Sequence, residues 1–203
     1  MASPPTTIAS QFQAWSIPEV FAVAFAIAYL LLAIRENIWC WFCAGVSTAL
    51  YVYVFIDARL YMESLLNVFY FGMAIYGWTV WRSGHTATSE LPVSIWPLRT
   101  HNVAIGSIIV LTAISGSLLS EFTDAAYPYV DSATTWSAIW ATFLVARKVL
   151  ENWWYWFVID AASVLIYWSR DLQLTSLLFV LYVILIPFGL YRWTRSYREH
   201  AVR

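Results

Sequence analysis

The feature that most constrains this fold is an internal duplication of apolar segments. The block from Glu36 to Phe42 returns, largely conserved in type, from Glu151 to Phe157, and each block is followed by two apolar spans. Eight residues at the end of the first copy recur in the same order at the end of the second. In the first copy they are Leu60, Ser64, Leu65, Leu66, Val68, Tyr70, Gly77 and Trp81. Their counterparts in the second copy are Leu172, Ser176, Leu177, Leu178, Val180, Tyr182, Gly189 and Trp193. The duplication predicts two copies of one helix bundle, with a polar site between them.

Composition places these bundles in a lipid bilayer. Of the 203 residues, 61% are hydrophobic and 11% charged, which is more apolar surface than a soluble domain of this length can bury. A helix needs about 20 mostly apolar residues to cross the hydrocarbon core. Seven stretches qualify: 17–34, 38–56, 62–81, 102–119, 132–150, 153–169 and 173–193. Little sequence remains outside them, which excludes a soluble catalytic domain and a nucleic-acid-binding domain.

The distribution of basic residues predicts the orientation. With the N-terminus outside, nine of the eleven Lys and Arg residues fall on the cytoplasmic side: Arg35, Arg82, Arg99, Arg147, Lys148, Arg192, Arg195, Arg198 and Arg203. Only Arg59 and Arg170 fall outside. Because cytoplasmic loops are enriched in Lys and Arg, we expect a multi-pass protein of the bacterial cell inner membrane with its C-terminus in the cytoplasm. The uncharged segment before the first span lacks the basic region of a signal peptide, so that span is expected to be retained.

These spans predict an all-α polytopic membrane protein with seven transmembrane helices in a 3+1+3 parallel repeat. The fourth span reverses the chain so that both copies run in the same direction. The expected parts are an external tail (1–16), a first three-helix bundle (17–82), a cytoplasmic loop with a linker helix (83–120), an external loop with a second three-helix bundle (121–194) and a basic cytoplasmic tail (195–203).

Asp160 is the strongest candidate for a functional residue. A charged side chain at the middle of a span costs roughly 2.5–3.5 kcal/mol, which marks it as functional by default. A polar, aromatic stripe lies at helical spacing from it, formed by Trp153 and Trp156 before it and by Ser163 and Tyr167 after it. Aligned on the repeated block, the first copy offers Trp41, Gly45 and Thr48 instead, so Gly45 is expected opposite Asp160.

Other spans contribute further candidates for substrate contact, all polar or aromatic: Glu63, Asn67, Tyr70, Trp136, Trp140, Asn152 and Tyr182. Asn67 aligns with Phe179, which again makes the copies unequal. Aromatic rings around a carboxylate favour a flat organic cation, because a desolvated cation–π contact contributes about 2 kcal/mol. Asn152 has helix capping as its simpler interpretation, and Trp81 and Trp193, near span ends, are interpreted as interfacial anchors.

The remaining reactive side chains argue against an enzyme. His85, His101 and His200 are predicted to lie in loops or the tail, and Cys40 and Cys43 are interpreted as packed thiols within a helix. No metal or cofactor is expected. An intramembrane enzyme would need paired carboxylates, a Ser–His pair or a metal cluster within the spans. A purely structural subunit would not need the polar stripe around Asp160.

Three motif segments resemble those of the Pnu family of bacterial vitamin transporters. The PnuC-like proteins are the best-known branch of that family. The segments run from Leu60 to Tyr70, from Ile75 to Trp81 and from Ala146 to Trp153, within a resemblance that covers residues 17–195. The resemblance implies the full-length SWEET-like fold, a homotrimer in the lipid bilayer, and facilitated diffusion of a small water-soluble vitamin. It also implies a cytoplasmic vitamin kinase that traps the substrate by phosphorylation.

The choice of vitamin rests on two positions. In the nicotinamide riboside branch, the positions of Asn67 and Asp160 typically hold Gln and Asn, a pair suited to a carboxamide. An ionised Asp only accepts hydrogen bonds, so Asp160 suits a ligand with donors or positive charge. Thiamine is therefore the expected substrate and nicotinamide riboside the alternative. A proton-coupled variant acting through Asp160 or Glu63 is a further alternative.

Overall fold

A computed structural model describes residues 16–57, 61–83, 91–123, 127–169 and 173–201, and within them the chain forms seven α-helices. They are α1 (Ile17–Ile34), α2 (Trp39–Asp57), α3 (Tyr61–Ser83), α4 (Leu98–Phe122), α5 (Pro128–Ala146), α6 (Asn152–Ser169) and α7 (Gln173–Ala201). Each overlaps one stretch predicted from the sequence, so the all-helical prediction is confirmed.

Four of these helices are long and apolar enough to span a membrane by length and composition alone. The qualifying segments are Ile17–Ile34, Trp39–Asp57, Leu98–Phe122 and Thr175–His200. The other three helices, α3, α5 and α6, carry more Trp, Tyr and hydroxyl side chains, which lowers their hydropathy. Their passage through the bilayer stays a prediction.

The helices α1 and α5 end in the same backbone motif. At the end of α1, the N–H groups of Glu36 and Asn37 donate to the carbonyls of Ala33 and Leu32. At the end of α5, Lys148 and Val149 donate in the same way, to the carbonyls of Val145 and Leu144. Each is a Schellman turn. The position that Gly usually occupies in such turns has a positive φ, and here it is Glu36, with a φ of 55°, and Lys148, with a φ of 51°.

These turns fix how the two copies superpose. The equivalent residues Glu36 and Lys148 differ by 112 in residue number. The same difference relates Ser64 and Ser176, whose hydroxyls donate to the carbonyls of Val52 and Val164 at 3.3 and 2.9 Å. One constant offset therefore relates the first three helices to the last three.

The alignment predicted from the block 36–42 is wrong by three residues, since it pairs positions 115 apart. In the structure, Asn37 accepts a hydrogen bond from the N–H of Trp39 at 2.9 Å, whereas Asn152 already belongs to α6. Because aromatic residues recur every three or four positions along both helices, a shift of about one turn preserved the apparent match. The structural counterpart of Asp160 is Thr48, and Gly45 corresponds to Phe157.

Six of the helices form a closed ring. Within the halves, α2 packs between α1 and α3, and α6 packs between α5 and α7. The halves meet through the equivalent contacts α3 with α5 and α7 with α1. The helix α4 lies outside the ring and packs mainly against α5, with a further side-chain contact to α6 between His101 and Tyr155.

Four tryptophans fill one end of the ring and form what we call the tryptophan plug: Trp41, Trp81, Trp153 and Trp193. The indole N–H of Trp81 donates to the carbonyl of Ala146 at 3.2 Å, and that of Trp193 donates to the carbonyl of Ala33 at 3.0 Å. Each half thus caps a helix end of the other. The prediction that Trp81 and Trp193 are interfacial anchors is wrong, since they are 2% and 0% exposed. Position near a span end cannot distinguish an indole facing lipid from one facing the core.

Two glycines leave room for the other two indoles of the plug, those of Trp41 and Trp153. A Cβ on Gly77 would overlap the ring of Trp41, and one on Gly189 would overlap the ring of Trp153. These rings continue edge-to-face onto Trp81 and Trp193, with centroids 5.6 and 5.5 Å apart. Direct contact between indole and helix backbone therefore holds α2 against α3 and α6 against α7.

Substituting either glycine tests this packing. Gly77→Ala and Gly189→Ala should each lower the free energy of unfolding by about 1–3 kcal/mol, because the new methyl overpacks a buried indole. Thermal unfolding of the purified protein in detergent, followed by tryptophan fluorescence, measures the effect. Gly72→Ala is the matched control, since its Cβ would meet nothing within 4 Å and a helix-interior alanine should be neutral or stabilising. Equal losses in all three variants would contradict the role of the plug.

Candidate functional site

A cavity of about 150 Å³ lies between the halves, beside the tryptophan plug. It is bounded by α1, α5, α6 and α7, with residues Ala26, Tyr29, Leu30, Ala33, Val145, Asn152, Trp153, Trp156, Asp160, Phe179, Tyr182 and Ile186. Four of the residues predicted to contact substrate are among them: Asn152, Trp156, Asp160 and Tyr182. The sequence therefore identified the polar side of this cavity.

Asp160 supplies the acidic group of the cavity. It lies midway along α6 and is only 4% exposed. No hydrogen bond or ion pair joins its carboxylate to another residue in the described part of the chain. A buried carboxylate is costly unless it is paired, so this group is available to a ligand that brings hydrogen-bond donors or positive charge.

Asn152 and Trp153 supply a second polar pair, two turns before Asp160. The side-chain amide of Asn152 donates to the carbonyl of Val149 at 2.6 Å, which leaves its Oδ1 buried and without a partner. The indole Nε1 of Trp153 is also buried without a partner. Asn152 is therefore no helix cap. The first turn of α6 presents one acceptor and one donor, about 12 Å along the helix axis from Asp160.

Aromatic rings form the remaining walls. Phe179 stacks on Tyr167, with centroids 5.2 Å apart, and contacts Tyr182 edge-on at 5.7 Å. Tyr29 lies across from them on α1 and was missed by sequence reasoning, although it is the only polar residue between positions 20 and 34. Aromatic faces with acceptors at two levels suit a flat, donor-bearing or cationic organic molecule.

Several predicted residues lie outside this cavity. Tyr70 packs beside Trp156 against Ala138, Ala141 and Ile159. Trp41 belongs to the plug, and the Thr48 hydroxyl donates to the carbonyl of Ala44 at 2.8 Å. Asn67 and Ser163 do not line the cavity either, Asn67 being half-buried on α3 and Ser163 buried one turn beyond Asp160. The side chain of Glu63 lies outside the described residues.

Trp136 and Trp140 do not line the cavity, so the structure contradicts their predicted place beside the carboxylate. Both line a groove on the outside of the ring, between α4 and α5. The indole of Trp136 donates to the hydroxyl of Ser115 on α4 at 3.1 Å, and the ring of Trp140 lies 6.1 Å from that of Trp96. Their spacing of four residues correctly placed them on one face of α5, but only the packing of α4 shows which way that face points.

The predicted loop position of His101 is also wrong. His101 lies in the first turn of α4, is 6% exposed, and its Nδ1 lies 3.1 Å from the hydroxyl of Tyr155. His200 lies in the last turn of α7, and His85 is outside the described residues. Cys40 and Cys43 are buried free thiols, which confirms their interpretation as packed side chains.

An ion pair joins the two halves next to the plug. The ammonium of Lys148 lies 3.0 Å from a carboxylate oxygen of Glu36 and 4.7 Å from the ring centroid of Trp81. The side chain of Lys148 is 4% exposed and that of Glu36 is 16% exposed. These are the two positive-φ residues of the Schellman turns, so equivalent positions carry opposite charges. The pair therefore lies beside the plug, at the same end of the ring.

Comparison with known proteins supplies a family for this architecture. Residues 16–195 match the family described as nicotinamide mononucleotide transporter. The nicotinamide riboside transporter PnuC of Escherichia coli is 29% identical over 198 residues, which covers 85% of this chain and 82% of that protein. The riboflavin/roseoflavin transporter RibM of Streptomyces davaonensis is 23% identical over 179 residues, covering 84% and 81%.

A solved structure has the same fold. The crystal structure of the vitamin B3 transporter PnuC superposes with a TM-score of 0.73 at 21% identity, covering 93% of this chain and 85% of that one. The chain and that transporter therefore share one helical architecture.

A double-mutant cycle tests the ion pair between the halves. Glu36→Gln and Lys148→Met should each destabilise the protein, while the double variant should lose less than the sum, with a coupling of about 1–3 kcal/mol. Chemical or thermal unfolding in detergent measures it. The exposed pair of Arg195 and Glu199, 70% and 60% exposed, is the control and should show no measurable coupling. Additive losses at Glu36 and Lys148 would show that the pair does not hold the halves together.

Proposed function

The chain belongs to the nicotinamide mononucleotide transporter family, and we propose that it carries nicotinamide riboside across the bacterial inner membrane by facilitated diffusion. Family membership confirms the Pnu resemblance of the motif segments and makes the protein a membrane transporter of the PnuC family rather than an enzyme. The observation that supports a flat cationic substrate is the aromatic cavity with Asp160 as an unpaired carboxylate, and the relative named as a nicotinamide riboside transporter favours that vitamin.

The cavity offers matching groups to both parts of nicotinamide riboside. Its pyridinium ring is a flat cation, which suits the rings of Trp156 and Tyr182 and the charge of Asp160. Its carboxamide needs one acceptor and one donor, and Asn152 Oδ1 with Trp153 Nε1 offers that combination. The donor that Asp160 cannot supply is thus available elsewhere in the cavity.

Thiamine, the substrate expected from the sequence, finds no support in the two relatives described above, which are named as a nicotinamide riboside transporter and a riboflavin/roseoflavin transporter. It remains a second candidate on one observation. Asp160 only accepts hydrogen bonds when ionised, and thiamine combines a cationic ring with an exocyclic amine. Both vitamins would use the same carboxylate, so only direct comparison separates them.

The cavity must widen to admit either vitamin. Its volume of about 150 Å³ is below the roughly 300–1,000 Å³ of pockets that hold small molecules. The natural motion is rocking of the two halves, which meet through α3 with α5 and α1 with α7. In the predicted orientation, the plug and the Glu36–Lys148 pair lie at the cytoplasmic end and must separate for release. A 3+1+3 SWEET-like repeat, a homotrimer and a cytoplasmic kinase that phosphorylates the vitamin complete the proposal.

Binding to the purified protein tests the substrate. Isothermal titration should show nicotinamide riboside binding more tightly than thiamine or riboflavin, and Asp160→Asn should weaken it about tenfold, which corresponds to about 1.4 kcal/mol. Trp156→Leu should weaken binding as well, whereas Trp136→Leu, outside the cavity, should leave it unchanged. Tighter binding of thiamine would select the second candidate. Absence of binding by all three vitamins, or equal effects of the two tryptophan variants, would contradict the site.

Uptake into proteoliposomes tests the mechanism. Labelled nicotinamide riboside should enter only until its concentrations inside and outside are equal, and a pH gradient imposed alone should cause no accumulation. Addition of a vitamin kinase and ATP inside the vesicles should then drive continued uptake. Accumulation driven by the pH gradient would establish the proton-coupled alternative instead.

A further inference from the structure

The groove that holds Trp136 and Trp140 is a second concave surface, separate from the central cavity. It has a volume of about 740 Å³ and runs along α4 and α5 on the outside of the ring. Its lining is apolar apart from hydroxyls such as Thr100 and Ser107 and a single charged residue, Arg99. None of its lining residues borders the cavity with Asp160.

The groove has the length of one membrane leaflet. Its lining on α4 extends from Arg99 to Leu111, which is about 18 Å of helix. Half of the hydrocarbon core of a bilayer is about 15 Å thick. The groove can therefore accommodate an extended acyl chain along most of its length, with one end at the membrane surface.

Positive charge marks that end. Arg99 lies at the start of α4, and Phe143 lines the groove near the end of the antiparallel helix α5. Arg147 is exposed four residues beyond Phe143, so it continues the same face of α5. Two guanidinium groups at the end of an apolar groove match the headgroup and the chain of an acidic phospholipid.

The rest of α4 also faces outward. Ile105, Ile109 and Ile114 are 44%, 63% and 55% exposed, and the described helices contact α4 along α5 and, through His101, at Tyr155 of α6. We propose that the α4–α5 groove binds one acidic phospholipid, with an acyl chain over Trp136 and Trp140 and its phosphate at Arg99 and Arg147. The lipid would extend the contact between α4 and the ring.

Native mass spectrometry of the purified full chain with phosphatidylglycerol and phosphatidylcholine tests this site. One phosphatidylglycerol should bind in preference to phosphatidylcholine, and Arg99→Gln should reduce its affinity about fivefold, the effect of one basic residue at a membrane surface. Arg82→Gln, at the end of α3, is the charge-matched control and should have no effect. Equal binding of both lipids by the wild-type protein would overturn the proposal.

Filling the groove gives an independent test. Phosphatidylglycerol should raise the melting temperature of the wild-type protein by binding in the groove. Ala104→Phe should abolish both the bound lipid and this rise, whereas Ile105→Phe, on the neighbouring exposed position, should preserve both. Retention of lipid by Ala104→Phe would contradict the site.

The other possible occupant is a second copy of the chain. Disulfide cross-linking between copies of Ser107→Cys in native membranes would show a protein interface and overturn the lipid proposal.

Discussion

The structure depends on how the carbonyl ends of α1 and α5 are satisfied where the two halves meet. The last carbonyls of a helix have no partners within it, and burying them unpaired would cost free energy at each end. The Schellman turns satisfy some of them, and the indoles of Trp81 and Trp193 reach across to Ala146 and Ala33. Because each half supplies the donor for the other, neither helix end is complete without its partner half.

This reciprocal arrangement allows a symmetric frame to hold an asymmetric site. The plug, the two glycines and the serine hydrogen bonds obey the repeat, but several residues around the cavity do not. Asp160 corresponds to Thr48, whose hydroxyl is used by its own helix, and Phe179 corresponds to Asn67. Tyr70, the counterpart of Tyr182, packs with Ile159 and Trp156 against small residues of α5. One half therefore supplies most of the polar groups, while the other supplies Tyr29 and a scaffold.

The helix α4 has a different status from the other six. It joins the halves in sequence yet contributes nothing to the ring, and the segment before it is tied to the α5–α6 turn by two backbone hydrogen bonds between Ser94 and residues Lys148 and Leu150. That attachment places α4 beside α5 and creates the groove. The same packing turns Trp136 and Trp140 outward, away from the central cavity.

The sequence by itself determined the helices, the duplication and the main polar residues, because hydrophobic periodicity and an acidic residue inside an apolar span are local signals. It could not determine the register of the two copies, since an aromatic pattern repeats with each helical turn and tolerates a shift of three residues. Nor could it show whether Trp81 faces lipid or core, or whether Trp136 faces the cavity or α4. Only the tertiary structure decided these points, because the direction of a helix face is set by the helices that pack against it.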